Sequence, residues 1–278
     1  MSSVSGKDIA EKLKEIKVRV DEILKNIDHV IAIMSGKGGV GKSVISASLA
    51  LSLLRLNRVV ALFDADIHGP SIPWMLGIED RRLYADKQGR IIPIIVSGLK
   101  VVSIELALDN KNVPLIWRGP LKTRAILDLI TMTDWGRINY LIVDLPPGTG
   151  DEPLTIARYL KPKLRGIILV LTPGKMVAHI VNKAKNFAHV VGAKVLGAVL
   201  NMSYVICPNC GSIIRPFGVL GSIDVNVIEE LPIEPTLAKA VDEGKLSDYL
   251  LSSKNEWVKK IFSVAKRIIH EIEGITID

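Results

Sequence analysis

One short segment near the N-terminus constrains the fold more than any other part of the chain. The eight residues from Gly36 to Ser43 match the phosphate-binding pattern G-x-x-x-x-G-K-[ST], in which successive backbone N–H groups surround the phosphates of a nucleotide. The apolar run at residues 30–34 is typical of a buried strand, and a helical pattern follows over residues 43–54. A strand, a glycine-rich loop and a helix in this order favour an anion at the helix N-terminus, where unpaired N–H groups attract negative charge.

The loop predicts the nucleotide ligands residue by residue. We expect Lys42 to reach the β- and γ-phosphates and the Ser43 hydroxyl to ligate Mg²⁺. Glycines let the backbone approach the phosphates because they carry no Cβ. The nucleotide-binding residues predicted in the loop are Gly36, Lys37, Gly38, Gly39, Val40, Gly41, Lys42 and Ser43.

Apolar runs and helical patterns alternate along the rest of the chain. This alternation predicts an α/β fold, a three-layer sandwich in which helices cover both faces of a mostly parallel sheet. A glycine turn between residues 83 and 95 predicts a small hairpin. The predicted strands are residues 30–34, 59–63, 99–104, 140–144, 166–171 and 194–200, and the predicted helices include residues 43–54, 121–132, 153–160 and 176–191.

Both ends of the chain have amphipathic helical patterns. We expect residues 1–28 to form an N-terminal helix, with the periodic pattern ending at Ile27, and residues 29–278 to form a single domain that ends in a helix over about 255–272. The first helix could pair with a partner helix, and the second could lie on a membrane surface. For both helices we favour packing on the chain's own domain.

Composition narrows the classes of function. No apolar stretch approaches the ~18 residues needed to cross a bilayer, and the polar N-terminus lacks the apolar segment of a signal peptide. We therefore expect a cytoplasmic protein without stable membrane association. The net charge is +7, but the basic residues are spread along the chain and aromatic residues make up only 5%. Because base stacking needs aromatic side chains beside basic groups, we expect no nucleic-acid partner.

Three aspartates follow predicted strands. Asp144 ends an apolar run, which is the Walker B pattern for a carboxylate that holds Mg²⁺. Asp64 and Asp66 end the second strand, and strand ends of open α/β sheets face the ligand crevice. From the residues alone, either of these two could act on the metal or on the attacking water. A loop rich in proline and glycine at residues 146–151 is suited to sensing the γ-phosphate.

Cys207 and Cys210 are the two cysteines of the chain, and a disulfide framework is therefore excluded. Their Cys-Pro-Asn-Cys-Gly sequence is typical of a turn that points two thiolates at one metal. Zinc and iron–sulfur sites usually have four ligands, and a two-fold dimer would supply two from each subunit. Coordination rules alone do not distinguish zinc from an iron–sulfur cluster here.

The second lysine of the loop, Lys37, gives a first resemblance. The sequence GKGGVGKS resembles the deviant Walker A ATPases, which include the nitrogenase iron protein, the arsenite-pump ATPase, the septum-site and partition ATPases and the iron–sulfur carrier ATPases. This resemblance implies a homodimer in which Lys37 crosses to the partner's ATP. It also implies that Lys37, Lys42 and Asp66 are catalytic, with Asp66 orienting the attacking water and Asp64 nearer the Mg²⁺ shell. Adenine would be bound by Asn201 at a strand end, near the loop that contains Pro232.

A closer resemblance rests on four further motifs. Residues 64–71, 117–120, 144–151 and 201–211 resemble the Mrp/Nbp35 family of iron–sulfur cluster carrier ATPases. This implies ATP hydrolysis, a 4Fe–4S cluster bridged between two subunits by Cys207 and Cys210, and transfer of the cluster to apo-proteins.

The chain departs from that family in two respects. It lacks the N-terminal four-cysteine motif of eukaryotic members and the small N-terminal domain of many bacterial ones, and the region after residue 218 is shortened. No role follows for residues 117–120 beyond a turn in which Pro120 starts a helix. The alternative function is a partition or positioning ATPase related to MinD and ParA, in which the cysteines hold a structural zinc.

Overall fold

Helices and strands alternate through most of the chain. The computed structural model describes residues 6–67, 69, 71–107 and 119–277, and the side chains of all of these except residues 6–13 and 119–122. The helices are α1 (Gly6–Leu24), α2 (Lys42–Arg55), α3 (Ile72–Met75), α4 (Gly119–Met132), α5 (Asp151–Leu160), α6 (Val177–Val191), α7 (Pro235–Asp242), α8 (Leu246–Ser252) and α9 (Glu256–Glu273). The strands are β1 (Ile27–Met34), β2 (Val60–Asp64), β3 (Tyr84–Ala85), β4 (Ile91–Ile92), β5 (Ile94–Val96), β6 (Leu99–Ser103), β7 (Ile138–Asp144), β8 (Leu164–Leu171), β9 (Val195–Ile206), β10 (Ile213–Ile214) and β11 (Val227–Pro232).

A nine-stranded, mostly parallel sheet forms the centre of the molecule. Its order is β10-β9-β8-β1-β7-β2-β6-β5, and β11 also pairs with β9. The pairs β5–β6 and β9–β10 are antiparallel, and the pairs β1–β7 and β2–β7 in the middle are parallel. Ile33 is in register with Asp144, and Asp144 is in register with Asp64. The carboxyl ends of the three central strands, and with them the glycine-rich loop, therefore meet at one edge of the sheet.

Helices cover both faces of the sheet. Along β1, Ile31 and Ile33 belong to one apolar core, together with side chains of α2, α7, α8 and α9. Val30, Ala32 and Met34 belong to the other, together with side chains of α1, α4, α5 and α6. Strands buried on both faces have continuous apolar sequences, as the central strands here do. The predicted three-layer α/β sandwich with a mostly parallel sheet is confirmed.

The first helix packs against the sheet but is shorter than its sequence pattern predicts. Ile16, Val20 and Leu24 are buried in the second core. The periodic pattern continues to Ile27, yet α1 ends at Leu24 and Ile27 begins β1. The reason is a hydrogen bond from the Ile138 N–H to the carbonyl of Asn26, which already joins the chain to β7.

The C-terminal helix also packs on the domain. Asn255 caps α9, because its side-chain oxygen accepts a hydrogen bond from the Val258 N–H at 3.0 Å. Its apolar side includes Trp257, Ile261 and Ile268, all buried in the first core. Among the described residues, no helix combines the length and the apolar character needed to cross a membrane.

One further prediction, a hairpin, is confirmed, and one predicted strand is longer in the structure. The predicted hairpin near residue 89 forms, with β3 and β4 paired around Gly89, whose φ is 77°. The strand predicted at 194–200 is longer, because β9 continues to Ile206 and pairs there with β10 and β11. This extension leads directly from the nucleotide edge of the sheet to the cysteine pair.

Candidate functional site

The glycine-rich loop is held from behind by Asn201. Gly41 precedes α2 with a φ of 82°, a value that favours glycine. A Cβ at this position would lie 2.3 Å from the Asn201 Nδ2 atom, so close approach requires glycine as well. The Asn201 amide donates a hydrogen bond of 2.9 Å to the Val40 carbonyl. The structure therefore places Asn201, predicted to bind adenine, in contact with the backbone of the loop.

Lys42 is the cation at the base of the loop. Its side chain is only 6% exposed, and its Nζ atom lies 2.8 Å from Asp144 Oδ2 and 3.5 Å from Asp66 Oδ2. These contacts are ion pairs, and none with a described residue has hydrogen-bond alignment. Since a buried ammonium group needs acceptors, Lys42 is poised to bind anionic oxygens that enter the site.

Asp144 is fully buried and has three partners. Its Oδ2 atom accepts a hydrogen bond of 2.6 Å from Ser43 and contacts Lys42, and its Oδ1 atom accepts one of 2.6 Å from Ser46. Hydroxyl and carboxylate oxygens are the ligands that Mg²⁺ prefers, so Ser43 and Asp144 have the chemistry needed to hold this ion. Sequence reasoning missed Ser46; the available signal was a serine one helical turn after Lys42.

Asp64 lies beside Asp144, at the end of the neighbouring strand β2, and is also buried. Its Oδ1 atom accepts a hydrogen bond from the Asp66 N–H at 3.1 Å, and its Oδ2 atom accepts one from Ser103 at 3.0 Å. Burial, and then the charge of Asp144, raise the pKa of the Asp64 carboxyl well above its usual range. The predicted place of Asp64 near the Mg²⁺ shell stays a prediction, since both oxygens contact the protein.

A cavity of about 390 Å³ opens above these residues. It is lined by the glycine-rich loop and by Asp66, Gly69, Ser71 and Pro147. Lys37 lies at this cavity and is exposed. The loop after β7 is fixed to the phosphate loop, because the Gly148 N–H donates a hydrogen bond of 2.8 Å to the Ser35 carbonyl. This contact joins the loop after β7 to the residue that precedes the glycine-rich loop.

The cysteine pair lies in a hairpin, residues 205–214, that joins β9 to β10. The Gly211 N–H bonds to the Cys207 carbonyl and the Cys207 N–H bonds to the Ser212 carbonyl, both at 2.9 Å, and Gly211 has a φ of 71°. Both thiols are free, and Cys210 is exposed. The Ser212 hydroxyl and backbone, and then Cys207, lower the pKa of the Cys210 thiol. A lowered pKa favours the thiolate, which is the form that binds metals.

Arg215 ties this cysteine hairpin to the sheet. Its guanidinium group donates hydrogen bonds to Ser203 in β9 at 3.1 Å and to Glu230 in β11 at 2.8 Å. Ser203 also donates to Glu230 at 3.1 Å. Arg215 further lies over the Tyr204 ring, 5.8 Å from its centroid. The cysteine hairpin is thus anchored to both β9 and β11.

The structure brings most predicted residues together at the nucleotide edge and leaves two groups apart. The loop, Asp66, Asp144 and Asn201 converge, whereas Cys207 and Cys210 lie at the other end of the β9 extension. Pro232 is buried at the end of β11, in register with Tyr204, three residues farther along β9 than Asn201. Four residues of the family motifs lie outside the described residues, namely His68, Pro70, Trp117 and Arg118. Gly119 and Pro120 begin α4.

Comparison with known proteins identifies the family of the chain. The family model of ParA-type NUBPL iron-transfer P-loop NTPases matches residues 26–269. The chain belongs to this family. Its members are P-loop NTPases, so a nucleotide-hydrolysing class is shown together with the fold. Within the described residues, no group of three or more histidine, cysteine or acidic side chains is arranged to hold a metal, in keeping with two thiols per chain.

Three relatives of this NUBPL-type chain are informative. The iron–sulfur cluster carrier protein of Saccharolobus solfataricus is 37% identical over 273 residues, 96% of this chain and 91% of the relative. The cytosolic Fe–S cluster assembly factor Nubp2 homolog of Anopheles gambiae is 38% identical, with 80% of this chain and 90% of the relative covered. A nucleotide-binding protein from Archaeoglobus fulgidus, solved in complex with ADP, is 35% identical with a TM-score of 0.74, covering 87% and 95%.

Proposed function

We propose that this chain is an ATP-binding and ATP-hydrolysing iron–sulfur cluster carrier. It holds a 4Fe–4S cluster between two copies of itself and transfers the cluster to apo-proteins. The observation that carries this proposal is the pair of free cysteines, half-buried Cys207 and exposed Cys210, in a member of an iron-transfer NTPase family. The relatives named as iron–sulfur cluster carriers and assembly factors support it.

In the nucleotide half of the proposal, ATP binds in the cavity above the loop. Lys42 leaves its carboxylate partners for the phosphates, and Ser43 and Asp144 hold Mg²⁺, which offsets the phosphate charge. Asp66 orients the attacking water, and Lys37 reaches the partner subunit's nucleotide. The ADP bound to the Archaeoglobus fulgidus relative supports an adenine nucleotide. Hydrolysis is slow because its role is to control cluster handling.

In the metal half, the cluster is cargo, and two cysteines per chain supply half of its ligands. A second copy completes the set. The surface beside the cysteines supports a covering partner, because apolar side chains there are exposed in the single chain. These are Ile206, Ile213, Ile214, Phe217 and Val219, with Val219 at 79% exposure. Solvent-exposed apolar groups of this size favour an interface.

A partition or positioning ATPase with a zinc-filled cysteine site is the competing function. Zinc suits paired thiolates, and the ParA-type fold is shared. Such a role usually needs a membrane or DNA contact, but the apolar side of α9 is occupied by the chain's own core. We therefore favour the carrier function. We propose that the protein acts in the cytoplasm, that its partners are apo iron–sulfur proteins, and that it has no nucleic-acid partner and no stable membrane contact. The cytosolic relative supports that location.

Anaerobic reconstitution tests the carrier function. The full chain is incubated with iron and sulfide, and iron, sulfide and zinc are then measured per dimer together with the visible spectrum. We expect about four irons and four sulfides per dimer with all-cysteine ligation, and we expect the Cys210→Ser variant to lose them. The matched control is Ser212→Ala, which alters the neighbouring hydroxyl but no thiol and should keep the full cluster.

Three results would contradict the carrier function. Zinc alone in the wild-type protein makes the cysteines a structural site and favours the partition ATPase. A full cluster in Cys210→Ser removes this cysteine as a ligand. A cluster that assembles on the wild-type protein but never reaches an apo-enzyme contradicts transfer.

A further inference from the structure

The Ser46 hydroxyl holds the side of Asp144 that no predicted nucleotide ligand contacts. Ser46 and Asp144 are both fully buried, and Ser46 Oγ lies 2.6 Å from Asp144 Oδ1. We propose that Ser46 is a positioning residue that fixes the Asp144 carboxylate for Mg²⁺ and thereby sets the magnesium affinity of the nucleotide site. This role rests on the proposed nucleotide function.

The argument begins with what happens to the three partners of Asp144 when nucleotide binds. Lys42 and Ser43 contact Oδ2, and both also line the cavity. In the proposed function they turn to the phosphates and to Mg²⁺. Ser46 does not line the cavity, and its Oγ also lies 3.0 Å from the Lys42 carbonyl within α2. Of the three, Ser46 alone remains on the carboxylate in the loaded site.

Carboxylate rotation explains why one remaining partner matters. The last torsion of an aspartate is broad and roughly two-fold, so the side chain does not fix its own orientation. A 2.6 Å hydrogen bond to Oδ1 selects one orientation and leaves Oδ2 directed at Ser43 and Lys42. Without the hydroxyl, Oδ1 loses its buried donor, and the carboxylate can rotate or bind Mg²⁺ with the wrong oxygen.

Helix α2 contains its own control residue. Ser48 is two positions after Ser46 and is equally buried, but its hydroxyl has no hydrogen-bond partner among the described residues. Replacing either serine by alanine removes one buried oxygen from the same helix. The two variants therefore share the packing effect and differ in the contact with Asp144.

The test is the affinity of the full chain for ATP, measured by calorimetry across a magnesium series and in EDTA. In Ser46→Ala we expect the magnesium concentration for half-maximal tightening of ATP binding to rise about tenfold, the usual scale for loss of an outer-shell contact. In Ser48→Ala it should stay within about twofold of wild type, because no such contact is lost. ATP affinity in EDTA should be unchanged in both variants, which also shows that they are folded.

A double variant makes the role of Asp144 explicit. In an Asp144→Asn background, Ser46→Ala should cause no further shift, because the two residues act as one unit. Three results overturn the role of Ser46: a magnesium series that overlies that of wild type, an equal shift in Ser48→Ala, or a full additional shift in the Asp144→Asn background. The role of Ser46 is also overturned if the ATP affinity of the wild type does not depend on the magnesium concentration. If the wild type binds no ATP under any condition, the proposed nucleotide function fails with it.

Discussion

The phosphate loop and the cysteine hairpin are two sites of opposite character in one chain. Asp144 is buried, and its partners Ser43, Ser46 and Lys42 all come from the same chain. At Cys210 the thiol is exposed, and both cysteines are free. The groups that hold Asp144 all come from one chain, whereas the hairpin offers two thiols, half of the ligands that the proposed cluster needs.

The difference follows from burial. A charge in the interior is costly unless it is paired within the fold, so the aspartates must come with their lysine and serines. An exposed thiol needs no partner within the fold, because water solvates it, and it is therefore available to an external ligand. The strand β9 joins the two sites, with Asn201 touching the loop and Cys207 six residues later, a distance of about 20 Å along an extended strand. The strand β9 therefore joins the proposed nucleotide site, whose groups are paired within the chain, to the proposed metal site, whose two thiols need further ligands.

The largest expected effect comes from removing the positive charge of Lys42 from the proposed nucleotide site. Lys42→Ala should weaken ATP binding at least about a hundredfold, since hydrogen bonds to charged groups contribute roughly 1.5–3 kcal/mol each. It also leaves Asp144 and Asp66 without their shared cation. Calorimetry with Mg²⁺ and ATP measures the loss, and Lys194→Ala, at an exposed lysine paired with Glu271, is the control.

The same variant tests how separate the two sites are. Because Lys42 and the cysteines lie at opposite ends of the β9 extension, reconstituted Lys42→Ala should still bind iron and sulfide as the wild type does. Conversely, Cys210→Ser should bind ATP normally. Unchanged ATP affinity in Lys42→Ala would remove the loop from the nucleotide site, and loss of the cluster in that variant would contradict the separation.

The strand, the glycine-rich loop and Asp144 could be located from the sequence because their signals are local. The loop lies between β1 and α2, and Asp144 follows an apolar run, so strand, loop and carboxylate can be read in order. Ser46 and Ser103 could not be found in that way. Their hydroxyls contact Asp144 and Asp64 only through the packing of α2 on the sheet and the register of β6 beside β2, which are non-local features.

The extension of β9 towards the cysteine hairpin was harder to predict. Asn201 and Ser203 interrupt the apolar pattern of β9, and the pattern alone ends the strand at residue 200. Both residues are nevertheless buried, because Val40 accepts from Asn201, and Glu230 accepts from Ser203. Polar residues that are satisfied by distant partners continue the strand, and those partners are invisible in a single sequence.

A smaller effect is expected where the cysteine hairpin is anchored. Arg215→Met removes the hydrogen bonds to Ser203 and Glu230. The side chains of Arg215 and Glu230 are each 35% exposed, and ion pairs of this kind contribute at most about 1 kcal/mol. We therefore expect a chelator to remove the reconstituted cluster roughly three to five times faster, with unchanged ATP affinity. Lys185→Met, which breaks the exposed pair with Asp224, should release the cluster at the wild-type rate; equal rates in all three proteins would show that the anchor has no effect.

The smallest expected effect concerns one hydroxyl beside the exposed thiol. The Ser212 side chain is the first cause of the lowered pKa of Cys210, and its Oγ atom lies 3.0 Å from the Cys210 Sγ atom. Ser212→Ala should therefore raise the pKa of Cys210 and move the alkylation profile with iodoacetamide to higher pH, because the thiolate is the reacting form. Both proteins are measured in a Cys207→Ser background, so that one thiol reacts. A profile that stays in place, or moves to lower pH, contradicts this effect. The expected shift would mean that the Ser212 hydroxyl increases the thiolate fraction of Cys210 in the metal-free protein.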